Sequence, residues 1–436
     1  MKKFIIENFV ASDKLAVIND GELDDLIVEN KSENKKVRNI YRGKIEKVIP
    51  TMKACFVDIG EDSPGYLKIE NEMKAVEGEN LMVQITKEEK GDKRVKLSSE
   101  ISLSGRYLVY IPTNTKIVFS SKIKNKDEKR RLREELLKVS EGEKGFIIRS
   151  EAEGVSSVEL KKDLEDLKMK YNFITEEYKK SFYPKLLYTT EGRVIEYIRE
   201  NFNESVEKII YPDGELDRKI RDTIKKINPA YLERLKRESN LDIFESYGVN
   251  KSMKKYLTKN VWLKSGAYIV IDKTEAMTVI DVNTGSFKGN SKYEDTVFKT
   301  NMEAADEISR QIFMRDISGI IIVDFIDMKE EKNRKKLLER LSKNLQIEGK
   351  RAKVHGFTRL GLVEISRMRK KDTIENYFSS PLRKIDKIEQ ETIYEKYHKG
   401  SVEFVSDVVI EEEEKEMASQ YIQRLEQKYK IKINLK

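Results

Sequence analysis

The sequence has 436 residues, 38% of them hydrophobic and 37% charged, and its 85 basic and 77 acidic residues leave a net charge of +8. A chain of this length predicts roughly two to four domains, and its apolar runs are too short to span a membrane. The single cysteine, Cys55, excludes an internal disulfide and a cysteine-rich zinc site, and its apolar surroundings predict a buried structural thiol. The first residues contain no signal-peptide core, so we expect a cytoplasmic protein.

Three short strands are predicted at the start of the sequence, over Lys3–Asn8, Lys14–Asn19 and Leu23–Glu29. Asp20 and Gly21 separate the last two strands and are typical of a hairpin turn. Because three strands are too few for a domain, we expect them to pair with a strand from later in the chain.

Residues 36–98 predict a small barrel of the OB-fold type, which often binds single-stranded nucleic acid. Five short strands, with glycine and proline at the turns, are expected over Arg38–Val48, Ala54–Ile59, Gly65–Ile69, Asn80–Lys87 and Lys93–Ser98. Phe56 and Tyr66 lie in two of these strands, with lysines nearby. Exposed aromatic rings in such a place stack on bases, whereas buried ones are barrel core, and the sequence leaves both readings open.

The next segment, 107–185, mixes strands with an amphipathic helix over Glu159–Thr175. One strand there ends at Arg149 and Ser150, whose guanidinium and hydroxyl groups are good phosphate ligands, although such a pair alone is a weak signal. Residues 186–260 carry no chemical signature, and we expect them to be a scaffold joined to the first three strands.

The stretch Ala267–Met328 contains the candidate catalytic residues. It predicts a hairpin, a glycine-containing loop, a helix and a second apolar strand, GIIIVDFIDM. Asp281 and Asn283 close the hairpin and Asp324 closes the second strand, and residues two apart in a strand face the same side. If the two strands are neighbours, these side chains meet. Two carboxylates and an amide suit Mg²⁺, which can activate water and clamp a phosphate.

Plainer interpretations remain beside this one. Either aspartate alone is more often a helix cap or an ion-pair partner, and Asp327 is expected to face away from Asp324 in a structural role. Lys288, in the loop after the hairpin, either contacts a scissile phosphate or is solvated, with equal weight. The sequence contains no Gly-x-x-x-x-Gly-Lys-Ser/Thr pattern, which argues against a P-loop nucleotidase.

The remainder predicts a charged helix over Lys329–Gln346 and two strands around Gly361. Residues 372–400 break the pattern and are expected to be a linker. Residues 401–436 predict a strand, a helix and a strand, which together form a small α/β subdomain.

Four stretches together resemble the catalytic core of the ribonuclease E/G family. They are TEAMTVIDVNTGSFKGN, NMEAADEISRQI, RDISGIIIVDFIDM and RLGLVEISRMR. These motifs are long and specific, and the order of the predicted segments also agrees with the family over residues 1–370.

The resemblance implies an α/β fold with several subdomains. Their expected boundaries are an RNase H-like scaffold in 1–35 and 186–260, an inserted OB-fold RNA-binding barrel in 36–106, a 5′-sensor region in 107–185, a DNase I-like catalytic region in 261–371, a linker in 372–400 and a small C-terminal α/β subdomain in 401–436.

The resemblance also implies an endoribonuclease that cuts single-stranded RNA, such as rRNA precursors and mRNA, into products with 5′-phosphate and 3′-hydroxyl ends. Asp281 and Asp324 would hold Mg²⁺, with Asn283 orienting the first carboxylate, and Arg149 with Ser150 would receive a 5′-monophosphate. Further RNA contacts would be made by Phe56, Tyr66, Lys93 and Arg351. The alternative is a non-catalytic RNA-binding protein that keeps the fold and binds without regard to Mg²⁺.

One departure from the family concerns zinc. The family usually has a Cys-Pro-x-Cys element after its last core motif, where two protomers share a zinc ion. This sequence has KKDTIENYFSSPLRKIDK there, without cysteine. We therefore expect no zinc, a compact ribonuclease G-like form, and a homodimer only by a route that does not use a zinc link.

Overall fold

A computed structural model describes residues 1–31, 37–69, 75–87, 94–238, 242–285, 293–346, 352–368 and 380–435. The chain divides into two compact units. The first consists of Met1–Lys31, Arg193–Ile198 and Phe202–Lys436, and the second of Ser32–Gly192 and Arg199–Asn201. The second unit is therefore an insertion in the sequence of the first.

The strands, in chain order within the described ranges, are β1 (Lys2–Asn8), β2 (Ser12–Asn19), β3 (Glu22–Asn30), β4 (Ile40–Ile49), β5 (Ala54–Asp58), β6 (Gly65–Lys68), β7 (Asn80–Lys87), β8 (Lys96–Ser98), β9 (Leu103–Ser104), β10 (Leu108–Tyr110), β11 (Ile117–Phe119), β12 (Phe146–Ile148), β13 (Lys185–Tyr188), β14 (Val206–Pro212), β15 (Leu235–Glu238), β16 (Asn260–Trp262), β17 (Tyr268–Lys273), β18 (Met277–Asn283), β19 (Gly319–Asp324), β20 (Ala352–Phe357), β21 (Val363–Arg367), β22 (Glu403–Ser406) and β23 (Lys432–Leu435).

The α-helices of the same ranges are α1 (Lys126–Val139), α2 (Ser157–Lys180), α3 (Arg193–Asn201), α4 (Glu215–Ile227), α5 (Ile243–Ser246), α6 (Val249–Lys255), α7 (Tyr293–Met314), α8 (Glu331–Leu345), α9 (Pro381–Tyr394) and α10 (Lys415–Tyr429). None of these helices has both the length and the apolar composition needed to cross a membrane.

The inserted unit contains a small closed barrel. Strands β4, β5, β6, β8 and β7 follow one another around it, and β7 pairs back with β4 to close the ring. Its interior is apolar, with Val57, Val83 and Ile85 fully buried. Cys55 is also buried, and this burial raises the pKa of its thiol. The predicted five-stranded, OB-like barrel is confirmed, as is the buried cysteine.

The rest of the inserted unit is a four-stranded sheet in the order β11-β12-β10-β9, packed against α1 and α2. Helix α2 begins with a capping box in which Ser156 and Glu159 each accept a hydrogen bond from the other's backbone N–H. Leu160, Leu164 and Leu167 line its buried face, so the amphipathic helix predicted from their spacing is confirmed.

In the first unit, one sheet joins the start of the chain to a later strand. Its order is β15-β14-β1-β2-β3, with β1 parallel to β14 and antiparallel to β2. Helices α3 and α4 cover one face, and α5 and α6 cover the other. The expectation that the first three strands pair with a later strand is confirmed.

The second large sheet of this unit has the order β16-β17-β18-β19-β21-β20. Strands β18 and β19 are parallel, and the other neighbours are antiparallel. Helices α7 and α8 pack on one face, where Ala304, Ile308 and Leu337 are fully buried. We call the other face, whose side chains are exposed or half-buried, the open face.

Residues 380–435 form a small α/β region with the parallel pair β22-β23 and helices α9 and α10. Of the segment 372–400, expected to be a linker, residues 372–379 lie outside the described residues, and the part from Pro381 to Tyr394 is instead helical. Proline is well suited to the first turn of a helix, because the first N–H groups have no partner within the helix. Ile385, on this helix, is fully buried.

A buried carboxylate attaches α9 to its surroundings. Glu389 is fully buried and accepts hydrogen bonds from the Val10 N–H at 2.5 Å, the Tyr429 hydroxyl at 2.7 Å and the Lys428 ammonium at 2.8 Å. Because a buried donor without an acceptor is costly, this carboxylate connects the first strands, α9 and α10 more strongly than a surface contact does.

Replacing Glu389 by alanine should therefore lower the free energy of unfolding by about 3 kcal/mol, measured by urea denaturation. The matched control is Glu403→Ala. The Glu403 side chain is half exposed and bonds Asn434 at 2.6 Å, so its loss should change stability by about 0–1 kcal/mol. Equal losses in the two variants would contradict the assigned role of Glu389.

Candidate active site

The predicted catalytic residues lie on the open face of the mixed sheet. In β18, Ile280 and Val282 are buried in the core, whereas Asp281 is exposed and Asn283 is half-buried. Asp324, at the end of β19, is exposed as well. Since side chains alternate along a strand, the buried apolar neighbours turn the polar side chains outward.

Asp281 and Asp324 are direct neighbours across the two parallel strands. The pairing runs in register from Met277 opposite Ile320 to Asp281 opposite Asp324, at the carboxyl ends of both strands. Neighbouring strands lie about 4.8 Å apart, so one ion can reach both carboxylates. Asn283 Nδ2 donates a hydrogen bond of 2.7 Å to Asp281 Oδ2 and so orients it. The predicted meeting of these three side chains is confirmed.

Negative charge accumulates at this edge of the sheet. Burial, the charge of Asp281 and the charge of Asp327 together raise the pKa of Asp324. Asp327 was expected to face away from Asp324, but its charge contributes to this rise in pKa. The strand ends at Asp324, so the alternation of side chains on which that expectation depended does not continue to Asp327. Within the described part of the chain, neither Asp281 nor Asp324 pairs with a cationic side chain.

This donor set fits a magnesium ion. Mg²⁺ takes one or two protein carboxylates and keeps several water ligands, and Asp281 with Asp324 supply two carboxylates. Among the described residues, no three or more His, Cys, Asp or Glu side chains cluster in a way that could hold a metal ion. The residues therefore suit an ion that completes its shell with water and substrate oxygens.

Asn301, on α7, holds the segment that follows Asp324. Its side chain is fully buried, its Nδ2 donates to the Ile326 carbonyl at 2.7 Å, and its Oδ1 accepts from the Ile326 N–H at 3.1 Å. The helix that connects β18 to β19 in the chain thus determines where β19 ends. Sequence analysis missed this role, for which the only signal is a polar residue on the apolar side of an amphipathic helix.

Gly285 holds the chain just beyond β18. Its φ is +60°, and a Cβ atom there would lie 2.4 Å from the carbonyl oxygen of Gly266. Only glycine permits this close approach. The contact holds the chain that follows Asn283 against the turn at Gly266, just before β17.

In the inserted unit, Phe56 and Tyr66 face each other across β5 and β6. Both are half-buried, and their rings meet edge to face with centroids 6.3 Å apart. The Arg94 guanidinium lies 4.5 Å from the Phe56 ring centroid, a contact that sequence analysis missed although Arg94 directly follows the predicted RNA contact Lys93. Three other predicted RNA contacts lie outside the described residues: Lys93, Lys288 and Arg351.

Arg149 and Ser150 are adjacent at the end of β12, and each already has a partner. Arg149 Nη1 lies 2.8 Å from Glu200 Oε1, and the Ser150 hydroxyl donates to Glu151 Oε1 at 3.1 Å. Burial disfavours the charge of Arg149, but the hydrogen bond and charge of Glu200 outweigh it and raise the pKa of Arg149. A phosphate at Arg149 must therefore compete with Glu200, a residue that sequence analysis missed.

This chain is similar to one known protein family. The model of the Ribonuclease E/G family matches residues 102–370. Ribonuclease G of Haemophilus influenzae is 34% identical over 83% of this chain and 78% of its own length, and Ribonuclease G of Escherichia coli K12 is 33% identical over 83% and 79%. Ribonuclease E of Synechocystis sp. is 31% identical over 84% of this chain and 57% of its own length.

Replacing Asp324 by asparagine should raise the melting temperature by roughly 1–3 °C at neutral pH, because it removes repulsion with Asp281 and Asp327. The raised pKa of Asp324 means that its ionised form destabilises the fold above that pKa. Protonation relieves the repulsion, so the gain should disappear as the pH falls through the raised pKa. Calorimetric scans of both proteins across the acid range measure this.

Asp272→Asn is the charge-matched control on the same sheet. Asp272 forms an ion pair of 2.7 Å with Lys259, so its neutralisation should leave the melting temperature unchanged or lower it. An equal rise in both variants would show that general charge reduction, and not the Asp281–Asp324 repulsion, is responsible.

Proposed function

The chain belongs to the ribonuclease E/G family, and on this premise we propose that it is an endoribonuclease that cuts single-stranded RNA internally during RNA processing. The observation that carries the proposal is the in-register pair Asp281 and Asp324, with Asn283 bonded to the first carboxylate. Paired carboxylates at the carboxyl ends of neighbouring strands form an exposed, electronegative site for a cation and a phosphate.

We propose that Asp281 and Asp324 hold Mg²⁺. When bound, the ion would lower the pKa of a coordinated water and neutralise charge on a phosphodiester. The chain's own residues supply position: Asn283 orients Asp281 by its hydrogen bond, and Asn301 holds the backbone that follows Asp324.

The proposed reaction is hydrolysis. A water oxygen attacks phosphorus, the bond from phosphorus to the 3′-oxygen breaks, and that oxygen gains a proton. The products carry a 5′-phosphate and a 3′-hydroxyl.

We propose that the barrel of the inserted unit holds the single strand. Phe56 and Tyr66 form a partly exposed aromatic pair, and Arg94 places a cation against the first ring. Aromatic rings beside cations are typical of proteins that bind single strands with little sequence preference. Lys93, Lys288 and Arg351 are proposed as further RNA contacts.

We also propose that Arg149 and Ser150 receive a 5′-monophosphate. A phosphate offers more charge and more acceptor oxygens than the Glu200 carboxylate that holds Arg149 in this structure, so it can displace that carboxylate. The Ser150 hydroxyl adds a second donor beside the guanidinium.

In family terms, we assign residues 1–35 and 186–260 to an RNase H-like scaffold, 36–106 to the OB-fold domain, 107–185 to the 5′ sensor and 261–371 to a DNase I-like catalytic region. The continuous sheet from β3 to β15 supports the first assignment, and the mixed sheet beneath Asp281 and Asp324 supports the last. A homodimer without a zinc link stays a prediction.

Replacing Asp281 by asparagine should reduce cleavage at least roughly 10²–10³-fold, because the proposed Mg²⁺ site loses one of its two carboxylates and with it the charge stabilisation that the ion would supply. The assay uses a short AU-rich single strand with a 5′-monophosphate, with Mg²⁺ or with a chelator. RNA affinity, measured by anisotropy, should change little.

Asp272→Asn, which removes an equal charge from the same sheet, should cleave as well as the unmodified protein. Tight RNA binding by the unmodified protein without Mg²⁺-dependent cleavage would assign the chain to the non-catalytic RNA-binding class.

Arg149→Lys keeps the charge but loses the planar fork that pairs with phosphate. The preference for a 5′-monophosphate over a 5′-hydroxyl substrate, measured as a ratio of kcat/KM, should fall roughly tenfold. Cleavage of a circular RNA, which has no 5′ end, is the control and should be unaffected. A preference that survives the substitution would reject the proposed sensor.

A further inference from the structure

Trp262 is an exposed aromatic residue on the open face of the mixed sheet. It lies in the edge strand β16, its side chain is 64% exposed, and its ring packs on Tyr268 with centroids 5.1 Å apart. Burial of a large aromatic side chain is energetically favourable, so an indole that stays exposed beside the candidate site suggests a binding role.

Trp262 lies in line with the catalytic residues. It is directly opposite Tyr268 in β17, and Tyr268 is directly opposite Asn283 in β18. Paired residues share a face of a sheet, so all three side chains lie on the open face with Asp281. Two strand spacings, about 10 Å, separate the backbones of Trp262 and Asn283. A nucleotide close to a phosphate bound at Asp281 and Asp324 is therefore within reach of the indole.

Trp262 borders a cleft of about 610 Å³, which is also lined by Lys255, Thr258, Lys259, Asn260 and Val261. This volume falls within the range of about 300–1,000 Å³ typical of ligand sites. Both lysines already have carboxylate partners, Glu307 at 3.0 Å and Asp272 at 2.7 Å. Ring stacking, more than charge, must then supply the binding free energy.

We infer that Trp262, supported by Tyr268, stacks on one base of the RNA strand close to the scissile phosphate. The inference rests on the proposed endoribonuclease function and adds a substrate subsite to it. Every base has a π face, so the subsite accepts any base. A stack formed equally in the bound substrate and in the transition state lowers KM and leaves kcat unchanged.

The direct test uses fluorescence, because Trp262 is the sole tryptophan of the chain. An AU-rich single-stranded RNA with a 5′-monophosphate is added to the protein in the presence of chelator, which prevents cleavage. Stacking should quench the emission with the same midpoint as anisotropy measures for binding. A series of RNAs with one abasic nucleotide near the cleavage position should include one that binds with little quenching.

The kinetic test compares three substitutions of Trp262. Trp262→Ala should raise KM roughly 5- to 150-fold, the effect of losing one base–aromatic stack, and leave kcat unchanged. Trp262→Phe should restore most of the loss, and Trp262→Leu should not. Ile320→Ala is the control, since Ile320 is also exposed on this face but lies at the other end of β19 from Asp324.

The outcomes separate this inference from the proposed function. Normal cleavage with unchanged emission and an unchanged KM for Trp262→Ala would overturn the inference alone. Quenching without cleavage under any condition would reject the enzyme and keep the subsite. Emission that depends on protein concentration in the absence of RNA, with KM unaffected by Trp262→Ala, would show that a second copy covers the indole and would overturn the subsite.

Discussion

The parallel, in-register pairing of β18 with β19 is the constraint on which the site depends. It places Asp281 beside Asp324, an arrangement that electrostatic repulsion disfavours and that raises the pKa of Asp324. The strands are held together by the core on the face opposite the open face, where Ile280, Ile321 and Val323 are fully buried against α7 and α8. Burying each such side chain stabilises the fold by roughly 1.5–3 kcal/mol. This outweighs the repulsion between two exposed carboxylates.

Helix α7 connects that core to the candidate site. Its apolar side packs beneath the sheet, and its polar residues hold the chain that leaves β19. Glu294 accepts hydrogen bonds of 3.2 Å from the N–H groups of Lys329 and Glu330, which lower the pKa of its carboxyl, and Asn301 bonds the backbone just after Asp324. The position of the second carboxylate is therefore set by a helix within the core. The open face carries the candidate site.

Local patterns predicted most strands and the shared face of Asp281 and Asn283, because the alternation of side chains along a strand is visible in the sequence. Strand order is not a local property, so the meeting with Asp324 depended on assuming that the strands are neighbours. Asn301 and Glu200 were missed because their partners are distant in the sequence or belong to another element. The helix after residue 380 was missed because Pro381 suggested a break, whereas it occupies the first turn.

The insertion of one unit within the other determines the order in which the chain can fold during synthesis. Strand β1 lies between β2 and β14, with Lys3 opposite Lys208, so its second edge has no partner until roughly two hundred further residues have emerged. The inserted unit, nearly continuous in sequence, can form in that interval. Lys2 and Lys3 place positive charge on the edge of β1 that is still unpaired at this stage. Such charge discourages pairing with strands of other chains.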